Sequence, residues 1–300
     1  MPNTLTASPS VAASRHGQPG ETSSVARRPM HTVGMAVLVA ELAILYAPTV
    51  AWLLDRWTLS VWQHAHGLLI PPVVAYFAYH ELKPLRERPA SSSAWGFAFL
   101  VPALVLHALD AGMHTQLLSA CALMLSLPGL SLLLLGAERT KAIAFPLMFL
   151  AFALPIPLVF TEQIHWQLRQ AATAAAAAVV PWFGIPLFVE GTTLHMANGA
   201  LQVADACSGF STLYAAVAVA CLTAYSTRSR TRKALVLLSA VPLALGANLL
   251  RVIALVLVVT WQGPEILETF IHPLSGILTF ALALPIIFWL GTDREIERQG

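Results

Sequence analysis

ALVLLSAVPLALGANLLRVIALVLVVTW, residues 234–261, is the stretch whose reading decides the fold. It carries one charge, Arg251, in a run longer than the ~20 apolar residues that cross a bilayer as a helix. Stretches near that length recur on both sides of it. They are continuous rather than alternating, which favours helices over the strands of a barrel. The 300-residue chain is 57% hydrophobic and 11% charged, where a soluble domain would be about a quarter charged. These figures predict an all-α polytopic membrane protein and exclude a soluble globular enzyme. The lipid bilayer is the partner that composition implies, and a net charge of only +2 gives no reason to expect nucleic acid.

About eight transmembrane helices are expected, over residues 34–54, 68–79, 94–109, 115–135, 142–160, 207–225, 234–261 and 274–290. Pro155 and Pro157 should break or kink the outer end of the fifth. Residues 161–206 fit no simple span. TEQIHWQLRQ reads as an interfacial helix, and the alanine-rich run after it, interrupted by Pro181, Gly184 and Pro186, as a re-entrant or interfacial segment. VEGTTLHMANGALQVAD reads as irregular or β-like. Residues 1–32 are rich in Ser, Pro, Thr and Ala and read as a disordered cytoplasmic tail, not a cleavable signal peptide. Residues 33–291 form the transmembrane domain, and 292–300 a short cytoplasmic tail.

Charge orients the helices. Arg27 and Arg28, then Lys83, Arg86 and Arg88, then Arg139 and Lys141, then Arg228, Arg230, Arg232 and Lys233 fall on one side of an eight-span arrangement. By the positive-inside rule that side is the cytoplasm, with both termini on it. Residues 161–206 then begin and end outside.

Three residues stand out chemically. Cys207 opens the sixth span, His272 opens the eighth, and Arg251 lies about nine residues, or roughly 14 Å, from the outer end of the seventh. A charge at the bilayer centre costs about 2.5–3.5 kcal/mol, so a working role for Arg251 outweighs a merely structural ion pair or carbonyl cap. A thiolate is a nucleophile, an imidazole can take and return its proton, and a guanidinium can donate two hydrogen bonds to an oxyanion. Backbone N–H groups at Ser208 and Gly209 sit where a helix start leaves donors without intrahelical acceptors. Asp205 is placed to cap that helix or to orient His272.

The remaining candidates read as structural. Cys121 and Cys221 are apolar fillers, and three cysteines without CxxC spacing give neither a disulfide framework nor a metal site. No cofactor is expected. His64 and His66 point to different helix faces and do not make a metal pair. His107, His114, His165 and His195 read as surface or interface residues.

The order Ala206-Cys207-Ser208-Gly209, then Asn248-Leu249-Leu250-Arg251, then His272 with Gly276 four residues on, resembles the exosortase/archaeosortase family. So do the His66-Gly67…Pro71 segment and the Pro155-x-Pro157 run. The resemblance covers about residues 55–291. Pro273 directly after the histidine departs from the family pattern, although proline suits a helix start. The resemblance implies a bacterial inner-membrane cysteine protease or transpeptidase. Its partner would be an exported protein whose C-terminal sorting signal, of the PEP-CTERM type, is membrane-anchored, with the active site toward the periplasm. The family's catalytic residues map onto Cys207, Arg251 and His272. Asn248, His66 and Gly67 match motif positions, the last two as substrate-binding candidates. The periplasmic C-terminal domain of some relatives is not expected. Two other readings stay open: a transporter or lipid-carrier translocase with Arg251 as an anion site, and a non-catalytic factor in exopolysaccharide assembly. Neither the acceptor, water or an amine, nor the oligomeric state follows from the residues.

Overall fold

The computed structural model describes the backbone of residues 27–59, 66–88, 91–203 and 208–292, and their side chains except those of residues 27–32, Leu59, His66, Leu158, His272 and Pro273. The chain divides into two compact units, Met1–Leu45 and Tyr46–Gly300. Within the first, the described residues are the opening of helix α1 (Arg27–Leu59). That helix begins inside the stretch expected to be an unstructured tail, and the earlier part of that tail lies outside the described residues. Val33, Val37 and Ile44 are exposed, as lipid-facing side chains would be.

The second unit continues α1 and adds α2 (His66–Leu82), α3 (Phe97–Met113), α4 (Leu117–Leu134), α5 (Gly136–Ala142), α6 (Ala144–Phe149), α7 (Leu158–Val179), α8 (Phe210–Ser226), α9 (Arg230–Gln262) and α10 (Ile271–Gly291). Among the described residues, five helices are long and apolar enough to cross a membrane: Val33–Thr58, Ala94–Met113, Leu117–Leu134, Arg230–Gln262 and Leu274–Gly291. They match the expected first, third, fourth, seventh and eighth spans. The expected second and sixth are the 17-residue helices α2 and α8.

The expected fifth span is not a single helix. It is divided into α6, a 3-10 turn over Leu150–Ala153 and an extended Leu154 ahead of Pro155. A proline drives the residue before it out of the helical region, so an apolar run can be long without being one helix. The GAERTK turn is also helical. Its Glu138 lies in the first turn and Arg139 and Lys141 in the last, the charge order that complements a helix dipole.

The α3–α4 hairpin is closed by Asp110, which is 2% exposed. Its carboxylate accepts from the backbone N–H of Thr115 at 3.1 Å and of Ser119 at 3.3 Å, and from both hydroxyls. The Ser119 N–H belongs to the first turn of α4 and lacks an intrahelical acceptor, and Thr115 lies in the link just before that helix. At the other end of the pair, Gly96 and Gly129 meet so closely that a Cβ on Gly96 would lie 2.5 Å from the Gly129 carbonyl oxygen. Small residues of this kind let membrane helices approach.

The interfacial helix and the alanine-rich stretch are one continuous helix, α7. Alanine is the best helix former, and no Gly or Pro interrupts the run before Pro181. After it come a 3-10 turn over Val180–Phe183 and a three-stranded antiparallel sheet: β1 (Phe188–Glu190), β2 (Thr193–Met196) and β3 (Gly199–Gln202), in the order β1-β2-β3. The β-like reading of this region is therefore correct. Leu194, Met196 and Leu201 point inward.

Helix α9 carries two cores in succession. Its N-terminal half packs Val236, Ala240 and Ala244 against Ala216, Ala220 and Ala224 of α8 and Ile287 of α10. Its C-terminal half packs Val252, Leu255, Val256 and Val259 against Ala172, Ala176 and Val180 of the α7 region and against the sheet. The Thr227 hydroxyl donates to the Gly291 carbonyl at 2.9 Å, which ties the end of α8 to the end of α10. The starts of α8 and α10 therefore lie toward the C-terminal half of α9.

Candidate functional site

Asn248 and Arg251 stand where the stripe of α9 changes partners. Both are buried, at 2% and 8% exposure. The start of α8 meets Asn248. Gly209 has φ +82°, and a Cβ there would lie 2.6 Å from Asn248 Cγ. Its backbone conformation and the close approach both require glycine. Ser208, directly before it, is 1% exposed.

Arg251 reaches the first turns of α10. Its Nε–H donates to Ser275 Oγ at 2.9 Å. Its guanidinium passes Gly276 at a distance where an added Cβ would be 3.7 Å from the nearer terminal nitrogen. His272 is placed by its backbone in the first turn of α10, one turn before Ser275 and Gly276. Its side chain lies outside the described atoms. Cys207 and Asp205 lie outside the described residues, Cys207 being the residue bonded to Ser208.

The described parts of three separated motifs therefore meet: Ser208-Gly209, Asn248…Arg251 and the Ser275-Gly276 turn after His272. Helix α7 joins them with a residue that sequence reasoning assigned elsewhere. His165 is not a surface residue. It is 9% exposed, its Nδ1 lies 2.9 Å from Ser208 Oγ, and its ring packs 4.6 Å from that of Phe210. The signal was present in the sequence. Thr161, His165, Arg169 and Thr173 recur every four residues, the spacing of one helix face. In the structure Thr161, His165 and Thr173 are buried, and the Arg169 side chain is 15% exposed. Arg169 also pairs with Glu162 at 3.4 Å and lies over the Trp166 ring.

The other sequence candidates are dispersed. Gly67 is buried against Trp57, whose indole nitrogen would be 2.4 Å from a Cβ at that position, and Trp57 Nε1–H donates to the Ala153 carbonyl at 2.8 Å. Its surroundings are a packing core. The side chain of His66 is outside the described atoms. His195 pairs with Glu190 at 3.3 Å on the exposed face of the sheet. His114 ends α3 in the left-handed conformation. Cys121 and Cys221 are both half-buried free thiols.

A protein-family model described as transmembrane exosortase (Exosortase_EpsH) matches residues 57–289, a span that takes in α2 through nearly all of α10. No curated protein and no solved structure matches the chain.

Proposed function

The chain belongs to the transmembrane exosortase family, and from that premise we propose that it is a cysteine endopeptidase or transpeptidase that removes membrane-anchored C-terminal sorting signals, of the PEP-CTERM type, from exported proteins. Cys207 supplies the thiolate that attacks the scissile carbonyl. His272 takes the thiol proton and returns it to the leaving amine. Arg251 donates to the oxyanion, helped by backbone N–H groups at the start of α8. A thioacyl enzyme forms and is released to water or to an acceptor amine.

The observation that supports this reading is convergence. Gly209 lies against Asn248, and Arg251 is bonded to Ser275. The segments on which all three proposed catalytic residues stand are thus gathered at one level of α9. The length of α9 supports an outer location. The helix rises about 50 Å, well beyond a hydrocarbon core of about 30 Å. With Arg230, Arg232 and Lys233 at the cytoplasmic surface, the rise from Lys233 to Arg251 is about 27 Å. The site then faces the outer boundary of a bacterial inner membrane, where a substrate anchored by its own helix would present its cleavage point.

The test is processing of a co-expressed substrate bearing such a signal. Cys207→Ala and Arg251→Lys should each abolish cleavage, the latter because an ammonium cannot replace a planar fork. Cys221→Ala should retain it, and mass spectrometry should find an acyl group on Cys207. Processing that survives Cys207→Ala would remove the nucleophile and favour the anion-transport reading of Arg251.

A further inference from the structure

We propose that His165 is a positioning residue for the nucleophile, acting through Ser208; the inference rests on the cysteine-peptidase reading above. A serine hydroxyl offers one hydrogen and two lone pairs. Here one lone pair accepts the backbone N–H of Phe210 at 3.3 Å, and the same oxygen is 2.9 Å from His165 Nδ1. Two contacts from different directions fix the rotamer of a residue that is bonded to Cys207 on one side and to the left-handed Gly209 on the other.

The imidazole is itself held. Its ring packs on Phe210, and it is carried by a helix docked through Ala172 and Ala176 onto the C-terminal half of α9. The result is a strut. Helix α7, anchored by an apolar core, sets a single nitrogen against Ser208, the residue bonded to Cys207. Reactive groups must be held within a few tenths of an ångström to about half an ångström of productive geometry, and the groups that hold them are themselves locked by packing. His165 has that role because its Nδ1 is engaged with Ser208. It touches the residue beside the nucleophile, not the substrate.

The experiment uses the full chain in vesicles, with Cys121 and Cys221 replaced by alanine so that Cys207 is the single thiol. Two quantities are measured: kcat and KM for signal cleavage, and the rate of Cys207 alkylation by iodoacetamide, which needs no substrate. His165→Leu and Ser208→Ala should each lower kcat about ten-fold with KM unchanged, the size of one lost buried hydrogen bond. The double variant should also lose about ten-fold, not about a hundred-fold, because both changes remove the same contact. His165→Asn puts an amide nitrogen or oxygen near the position of Nδ1 and should stay within about three-fold of the parent. The alkylation rate should change in His165→Leu and recover in His165→Asn.

Multiplicative losses in the double variant would overturn the inference. So would a failure of asparagine to rescue, which would make His165 a proton carrier, or a rise in KM with kcat intact. The two readings fail separately. Cleavage by Cys207→Ala sinks the peptidase assignment, whereas an inactive Cys207→Ala beside a fully active His165→Leu sinks only the role of His165.

Discussion

Alanine at position 209 should damage the protein far more than alanine at position 276, although both glycines belong to the motifs that define the site. Gly209 has φ +82°. A residue with a Cβ loses about 1–2 kcal/mol in that left-handed region. The added Cβ would also sit 2.6 Å from Asn248 Cγ and 2.7 Å from its Nδ2. Asn248 is 2% exposed and cannot simply swing into solvent. Overpacking of this kind costs about 1–3 kcal/mol, so the total is about 2–5 kcal/mol against a typical stability of about 5–15. At Gly276 the added Cβ would be 3.7 Å from the Arg251 guanidinium, an ordinary contact, in a helix interior. There alanine should be neutral or should stabilise by up to about 1 kcal/mol. Thermal unfolding of the purified protein in one detergent measures both. A cycle separates the two causes at position 209. Combining Gly209→Ala with Asn248→Ala should be less damaging than the sum of the single changes by about 1–2 kcal/mol, because the contacts with Cγ and Nδ2 are relieved and only that with the Asn248 Cβ, at 2.9 Å, remains. Wild-type stability in Gly209→Ala, or strict additivity with Asn248→Ala, would refute the packing of the cysteine motif against α9.

Asp110→Ala should lower stability by about 2–3 kcal/mol, since it strips the carboxylate acceptor from the N–H groups and hydroxyls of Thr115 and Ser119, and thermal unfolding would register it. Asp110→Asn should retain part of that, and the folded fraction of either variant should cleave at the parental rate. On a cysteine-free chain, Trp182→Cys should react with a membrane-impermeant maleimide in intact spheroplasts, whereas Ser229→Cys should react only after the membrane is opened. Both positions are exposed, Trp182 at 85%, so the reverse pattern would invert the proposed orientation.

Much of this architecture was legible because its cause is local. Long apolar runs gave α3, α4, α9 and α10, since backbone groups in lipid have no alternative to internal hydrogen bonds. Alternation at Leu201 and Val203 gave the strand character before Cys207. What failed to show was decided by proline and by distant partners. An apolar run over 142–160 reads as one span broken or kinked near its end by Pro155 and Pro157, and the structure has an extended link there, although it also turns the part before it into a short helix and a 3-10 turn. Pro181, Gly184 and Pro186 read as interruptions of the alanine-rich run, yet they all follow the uninterrupted helix former that makes α7 one helix. His165 was missed for a different reason. Its four-residue series with Thr161, Arg169 and Thr173 was available, but Ser208 is 43 positions away, and no periodicity pairs residues at that range.

The place of Arg251 also changes what its presence means. The insertion cost that singles it out in the sequence belongs to a charge at the bilayer centre, and it falls for a charge near an interface. On α9, Arg251 lies at the seam between the alanine-lined core shared with α8 and α10 and the second core shared with α7 and the sheet. It has Ser275 as a partner there. Burial alone therefore does not mark the arginine as catalytic, because a seam of this kind also suits a structural charge. The neighbours carry the argument instead. A helix that only had to span would need about 20 residues, yet α9 continues beyond the seam for another eleven, from Val252 to Gln262. Those residues form the post on which the sheet and α7 are mounted. Val203, 1% exposed and bonded through its N–H to Thr192 at 2.9 Å, fixes one end of the connection that carries Cys207. Ser208, held by His165, fixes the other. The C-terminal half of α9 thus serves the segment bearing Cys207, and the same helix sets Asn248 against the start of α8 and Arg251 against the first turns of α10. A purely structural arginine gives no reason for that second construction.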